Sequence, residues 1–113
     1  MMNKPFIILL MLCSNMVCAD WLLSFAPQSD MVSIDQQPIL AQIITQADQQ
    51  PTQSIDIIGY AADTQEKNLA DERAATVANL CLSNGIARDR LLLQTELNWQ
   101  QRNSVRITMK LPS

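Results

Sequence analysis

Hydrophobic and polar positions change period several times along the chain, and each change marks an element. The cleanest alternation lies at residues 104–111. Val105, Ile107, Met109 and Leu111 fall on one side, and Arg106, Thr108 and Lys110 on the other, as successive side chains of a strand do. One apolar face and one wet face predict a sheet covered on a single side. Residues 54–61 read differently. Ile55, Ile57 and Ile58 are β-branched, and apolar residues point both ways, the pattern of a central strand. Residues 21–25 and 91–95 predict two more strands. Between strands the period lengthens. Leu40, Ile43, Ile44 and Ala47 share one helical face, preceded by candidate caps Ser33 and Asp35. Gln36 is spaced from Ser33 as in a capping box, and Pro38 falls in the first turn. A second helix is predicted over residues 68–84. Leu69, Arg73, Val77, Leu80 and Cys81 lie on one side, with Ala70 and Ala74 beside them. Small alanines there let the helix lie close on a sheet, and Gly85 is placed to end it. Residues 26–30 and 48–54 carry turn chemistry. The order is strand, helix, strand, helix, strand, strand, an α and β domain whose strand–helix–strand crossovers should be right-handed.

The N-terminus stands apart from this pattern. Lys4 gives a basic start, residues 6–13 are an apolar run, and Val17, Cys18 and Ala19 are placed as at a signal peptidase site. This three-part pattern predicts a cleavable secretory signal over residues 1–19 and a single domain over residues 20–113. The apolar run is shorter than the roughly 20 residues a membrane-spanning helix needs. A retained anchor helix and lipidation at Cys18 are minority alternatives, since the residues before Cys18 do not fit a lipidation site well.

Composition narrows the function classes. The chain carries eight basic and eleven acidic side chains, and removal of Lys4 with the leader makes it slightly more acidic. Such a balance gives no electrostatic footprint for nucleic acid or anionic lipid. Cys13 and Cys18 leave with the leader, so Cys81 is alone in the mature chain and is expected in the core. The absence of histidine removes the commonest general base and zinc ligand. Glu66, Asp71 and Glu72 imitate an acid–base cluster, but no activated nucleophile and no Gly-rich phosphate loop accompanies them. Acidic residues near a helix start ordinarily complement its dipole. The expectation is a binding module with no enzyme activity, metal or cofactor.

The stretch Gly59-Tyr60-Ala61-Ala62-Asp63, then Leu69-Ala-Asp-Glu-Arg73-Ala74, then Gly85-Ile86, Arg90-Leu91 and Ser104-Val-Arg-Ile107 resembles, in order, the motifs of the OmpA C-terminal domain family. The resemblance covers nearly all of residues 20–113. It implies a fold, an OmpA C-terminal-like β-α-β-α-β-β sandwich of the α+β class, with two helices packed on one face of a mixed sheet. It also implies a compartment, the Gram-negative periplasm, with association to the outer membrane. The implied ligand is the diaminopimelate residue of the peptidoglycan stem peptide, whose free end carries an ammonium and a carboxylate. By motif position Asp63 would pair with the ammonium and Arg73 would fork onto the carboxylate, a strong and directional pair. Tyr60, Ala62 and Asn68 would complete the rim. The sequence departs from the family pattern at Ala62, where a threonine is usual. The loop at residues 64–67 is short, and so is the segment at residues 96–103, which holds Trp99.

Alternatives remain beside these roles. Asp63 suits a helix cap, and Arg73 on a buried helix face needs partners, so a structural Asp63–Arg73 salt bridge is open. Tyr60 and Trp99 suit core or rim packing, and Arg88 and Arg90 a solvated turn. The functional alternative is a degenerate OmpA-like domain acting by protein–protein contact in a secretion or motility assembly.

Overall fold

The computed structural model describes residues 17–111. Four strands form one sheet: β1 (Val17–Ser24), β2 (Ser54–Ala61), β3 (Leu91–Leu97) and β4 (Ser104–Lys110). Their spatial order is β1-β4-β2-β3. β4 is antiparallel to both neighbours, and β2 is parallel to β3, so the sheet is mixed. Helices α1 (Gln37–Gln49) and α2 (Lys67–Ser83) cover one face. The predicted α+β architecture is the observed one. The β1 strand begins at Val17 and so takes in the last three residues of the predicted leader. The rest of the predicted leader lies outside the described residues.

Strand register sorts the side chains. Leu23 pairs with Val105, Trp21 with Ile107, and Ile107 with Ile57. Leu23, Val105, Ile107, Ile57, Ile55 and Met109 are fully buried beneath the helices. The opposite face carries Asp20, Asp56, Arg106, Thr108 and Lys110. Here Arg106 pairs with Asp20 at 2.7 Å and Lys110 with Asp56 at 2.9 Å. The alternation read at residues 104–111 thus describes one covered and one open face.

Two details of the helices differ from expectation. No capping box forms at α1. The Ser33 hydroxyl bonds Asp35, and the Gln36 Oε1 accepts from the Ser24 amide at 3.0 Å, tying the helix entry to the end of β1 instead. On α2 the alanines form the contact line: Ala70, Ala74 and Ala78 are buried with Arg73, Val77 and Cys81, while Leu69 and Leu80 lie at its margins, half-buried. Gly59 explains the shift. A Cβ there would come within 2.4 Å of the Ala70 carbonyl oxygen, so glycine on the strand and alanine on the helix are needed for so close an approach. The exit of α2 follows the sequence. Gly85 has φ +91, with Ile86 N–H donating to Cys81 O and Gly85 N–H to Leu82 O, the paired bonds of a Schellman C-cap.

Candidate functional site

Asp63 stands at the end of β2, where the chain leaves the sheet for α2. It is exposed, and its Oδ1 accepts from Gln65 N–H at 3.0 Å and Glu66 N–H at 3.1 Å. It therefore caps the 3-10 turn Thr64–Glu66 that leads into α2, a position aspartate favours. Glu66 returns the favour one residue early, its Oε1 accepting from Ala62 N–H at 3.1 Å. The two carboxylates and three amides make a reciprocal cap that fixes the short loop. The Asp63 Oδ2 takes part in neither bond, and the residue is exposed.

Arg73, two turns into α2, is 1% exposed. Its Nε donates to Ser29 O at 2.7 Å, one terminal nitrogen to Ala26 O at 3.0 Å and the other to Asn103 Oδ1 at 3.0 Å. The guanidinium also lies over the Phe25 ring, 5.4 Å from its centroid. Three of its five N–H groups are thus used to hold the loop after β1 and the turn before β4. Asn103 sits at φ +64, a left-handed conformation that asparagine tolerates better than most residues. Burial lowers the Arg73 pKa from its ordinary value, while the negative charges of Glu66 and Asp30 act in the opposite direction.

Asp63 and Arg73 do not form the structural salt bridge that the sequence left open. Among the described residues the ion pairs are Arg106–Asp20 and Lys110–Asp56. Oxygens of backbone and amide hold Arg73 instead, and the acids whose fields reach it are Glu66 and Asp30. Ala62 lies half-buried beside Asp63, and Asn68 is exposed in the first turn of α2, so both are at the same rim. Tyr60 is not. Strand alternation turns it to the face opposite Gly59 and α2, where it is buried and its hydroxyl accepts from Arg106 Nε at 3.1 Å. That bond is the main reason the Arg106 pKa lies above its usual value. Tyr60 thus belongs to an Asp20–Arg106–Tyr60 network on the open face.

Trp99 is 62% exposed with Arg102 over its ring, a rim position. Arg90 is no solvated turn charge. Its Nε donates to Gln53 O at 3.0 Å and a terminal nitrogen to Ala47 O and Gln50 O at 3.2 and 2.8 Å. It closes the C-terminus of α1, where the helix leaves carbonyls unpaired. Cys81 is fully buried, and burial pushes its thiol pKa up to about 11. Sequence reasoning missed Ser29, Asp30 and Asn103 as the surroundings of Arg73, because contacts over some 30 to 47 positions of sequence leave no local signal. Among the described residues no cluster of His, Cys, Asp and Glu could hold a metal ion.

Two helices on one face of a mixed sheet, with a capped aspartate at the end of the central strand and a buried arginine on the helix that follows, define a small α+β domain. Residues 24–107 match the OmpA family, and the chain belongs to it. No curated protein matches the chain. Solved structures are similar in fold. The OmpA-like domain of FopA1 from Francisella tularensis is 12% identical, with a TM-score of 0.70, covering 81% of this chain and 72% of that one. The peptidoglycan-associated lipoprotein from Burkholderia pseudomallei is 16% identical, with a TM-score of 0.68 over 79% of this chain and 89% of that one. The C-terminal domain of Helicobacter pylori MotB is 19% identical, also with a TM-score of 0.68, over 82% and 86%. At these identities the likeness concerns fold.

Proposed function

We propose that this chain is an exported, periplasmic module that tethers non-covalently to peptidoglycan, recognising the diaminopimelate residue of the stem peptide through Asp63, Ala62, Asn68 and Arg73. The observation that carries the reading is Asp63 itself. Its Oδ1 is fixed by two backbone amides while the rest of the carboxylate stays exposed, so a ligand ammonium meets an anion already held in place. Arg73 keeps two N–H groups beyond its three bonds, but its cover must shift for a ligand carboxylate to reach them. That cover is the loop carrying Ala26 and Ser29, the segment that a bound ligand would have to displace. The module has no chemistry of its own in this reading. Its leader is removed on export, and the outer-membrane side of a Gram-negative envelope is its place of work. No helix among the described residues is long and apolar enough to cross a membrane.

A second reading has its own observation. Because Arg73 already holds the loop and the turn with three of its N–H groups, the domain is held together without any ligand. A family member that has given up peptidoglycan and serves as a protein–protein element of an envelope assembly would look the same at this position.

Co-sedimentation of the processed protein with diaminopimelate-type peptidoglycan separates the two. Asp63→Asn keeps an oxygen for both cap bonds and removes the charge. The tether reading expects the parent protein in the pellet and folded Asp63→Asn in the supernatant. A parent protein that stays in solution rejects it in favour of the second reading. Intact mass of the protein recovered from cells tests cleavage after Ala19.

A further inference from the structure

The two edges of the sheet are built differently. β1 has a break in register between Val17 and Ala19 and carries Asp20. Irregularity and charge are the devices by which an edge avoids pairing with another chain. β3 has neither a break in register nor a proline nor a lysine over its seven residues, and among the described residues only β2 pairs with it. Its sole charge is Glu96. Leu92, Leu93 and Leu97 are 51%, 44% and 56% exposed, a concentration of apolar surface unlike the rest of the sheet. Beside it, between β3 and α2, lies an open cavity of about 400 Å³ bordered by Lys67, Asp71, Ala74, Leu93, Gln94 and Thr95. An added strand would lay every second side chain over that cavity, the geometry of strand addition at a sheet edge.

We infer that β3 is the docking edge for a second copy of this chain, the two strands pairing antiparallel about a two-fold axis at Gln94. The register with β2 places Leu91, Leu93, Thr95 and Leu97 on the helix face, and Leu92, Gln94 and Glu96 on the open face. A two-fold axis normal to the sheet keeps like faces together, so only registers centred on a residue are allowed. Centring on Gln94 overlaps the whole strand. Leu91 then meets Leu97 of the partner subunit, Leu93 meets the partner's Thr95, and Leu92 meets the partner's Glu96. Gln94 meets its own counterpart, amide to amide. Centring on Glu96 would oppose two carboxylates, which is destabilising for directly facing residues. Centring on Leu93 or Thr95 would leave two strand residues at one end unpaired. Charge and overlap thus select one register, and the result is an isologous pair with a leucine seam on the helix face. A seven-residue edge buries less than the roughly 800 Å² per partner of a standard interface, so the dimer is weak and reversible.

The test uses the processed full-length protein. Sedimentation velocity over a wide concentration range should show a reversible monomer–dimer equilibrium. Leu93→Lys combined with Leu97→Lys, checked for a native circular dichroism spectrum, should stay monomeric throughout. Facing positions bring their Cβ atoms within about 5 Å, so Gln94→Cys should form a covalent dimer under mild oxidation. Leu92→Cys, displaced by four positions from its counterpart, should not. Cys81 is buried with its thiol pKa near 11 and contributes little background. A parent protein monomeric at every concentration, or Gln94→Cys cross-linking no more than Leu92→Cys, overturns the inference. Asp63 is untouched in every variant, so the outcome is independent of peptidoglycan binding.

Discussion

Arg73 and Arg90 solve the same problem at two corners of the molecule. Each is a guanidinium that gathers oxygens left over where elements end: Ser29, Ala26 and Asn103 for Arg73, and Ala47, Gln50 and Gln53 for Arg90. They differ in what surrounds the charge. Arg90 is half-buried and its partners are carbonyls alone. Arg73 is sealed from solvent, rests on Phe25, and feels Glu66 and Asp30. Engagement with carbonyls therefore says nothing about ligand binding, since Arg90 shows it with no rim around it. The candidate site is defined by the acids and amides that accompany Arg73.

The largest effect should come from removing the sealed guanidinium. Arg73→Ala removes a fully buried guanidinium with its three hydrogen bonds and its contact with Phe25, and should cost on the order of 3–5 kcal/mol, measured by urea denaturation. If the cost is no larger than that of Arg90→Ala, the contrast between the corners fails. Gly59→Ala comes next. Its methyl would strike the Ala70 carbonyl, and overpacking of this kind costs about 1–3 kcal/mol. It should displace the start of α2, and with it the Arg73 corner, while amide exchange around Gln50 and Gln53 stays unchanged. Arg90→Ala should cost about 1–2 kcal/mol, because this side chain is only half-buried and gives up less packing with its bonds.

Much of this was legible in the sequence. The strand at residues 104–111 and the helix ending at Gly85 announce themselves through period and cap, and the strand around Ile55–Ile58 through β-branching. The contact line of α2 was less so. Periodicity favours the leucines, but the close approach allowed by Gly59 turns the alanines inward, and that is a property of two elements together. Asp63 as a cap was readable from residue type. The partners of Arg73 and Arg90 were not, because they are backbone oxygens brought in from distant loops, and a carbonyl carries no signature in the sequence. Tyr60 was placed at the rim by motif order, and only strand alternation, with Gly59 committed to the helix, sends it to the other face.

The smallest effect is a titration. The Cys81 thiol has its pKa raised above the unfolded value, so the folded state holds the proton more firmly. Its contribution to stability is complete below the unfolded pKa, around pH 9, and is lost as pH rises towards 11. Denaturation midpoints should fall across that window in the parent protein and fall less in Cys81→Ala. At pH 8 the folded thiol should resist alkylation.

The most direct test of the central claim is a nuclear magnetic resonance titration of the processed protein with a soluble muropeptide whose stem ends in diaminopimelate. The account predicts saturable shifts at the amides of Ala62, Gln65 and Glu66 and at the Arg73 Nε–H, with the Arg90 Nε–H and the Gln53 amide unmoved. No shift at the Asp63 rim, or shifts of equal size at the Arg90 corner, would contradict it.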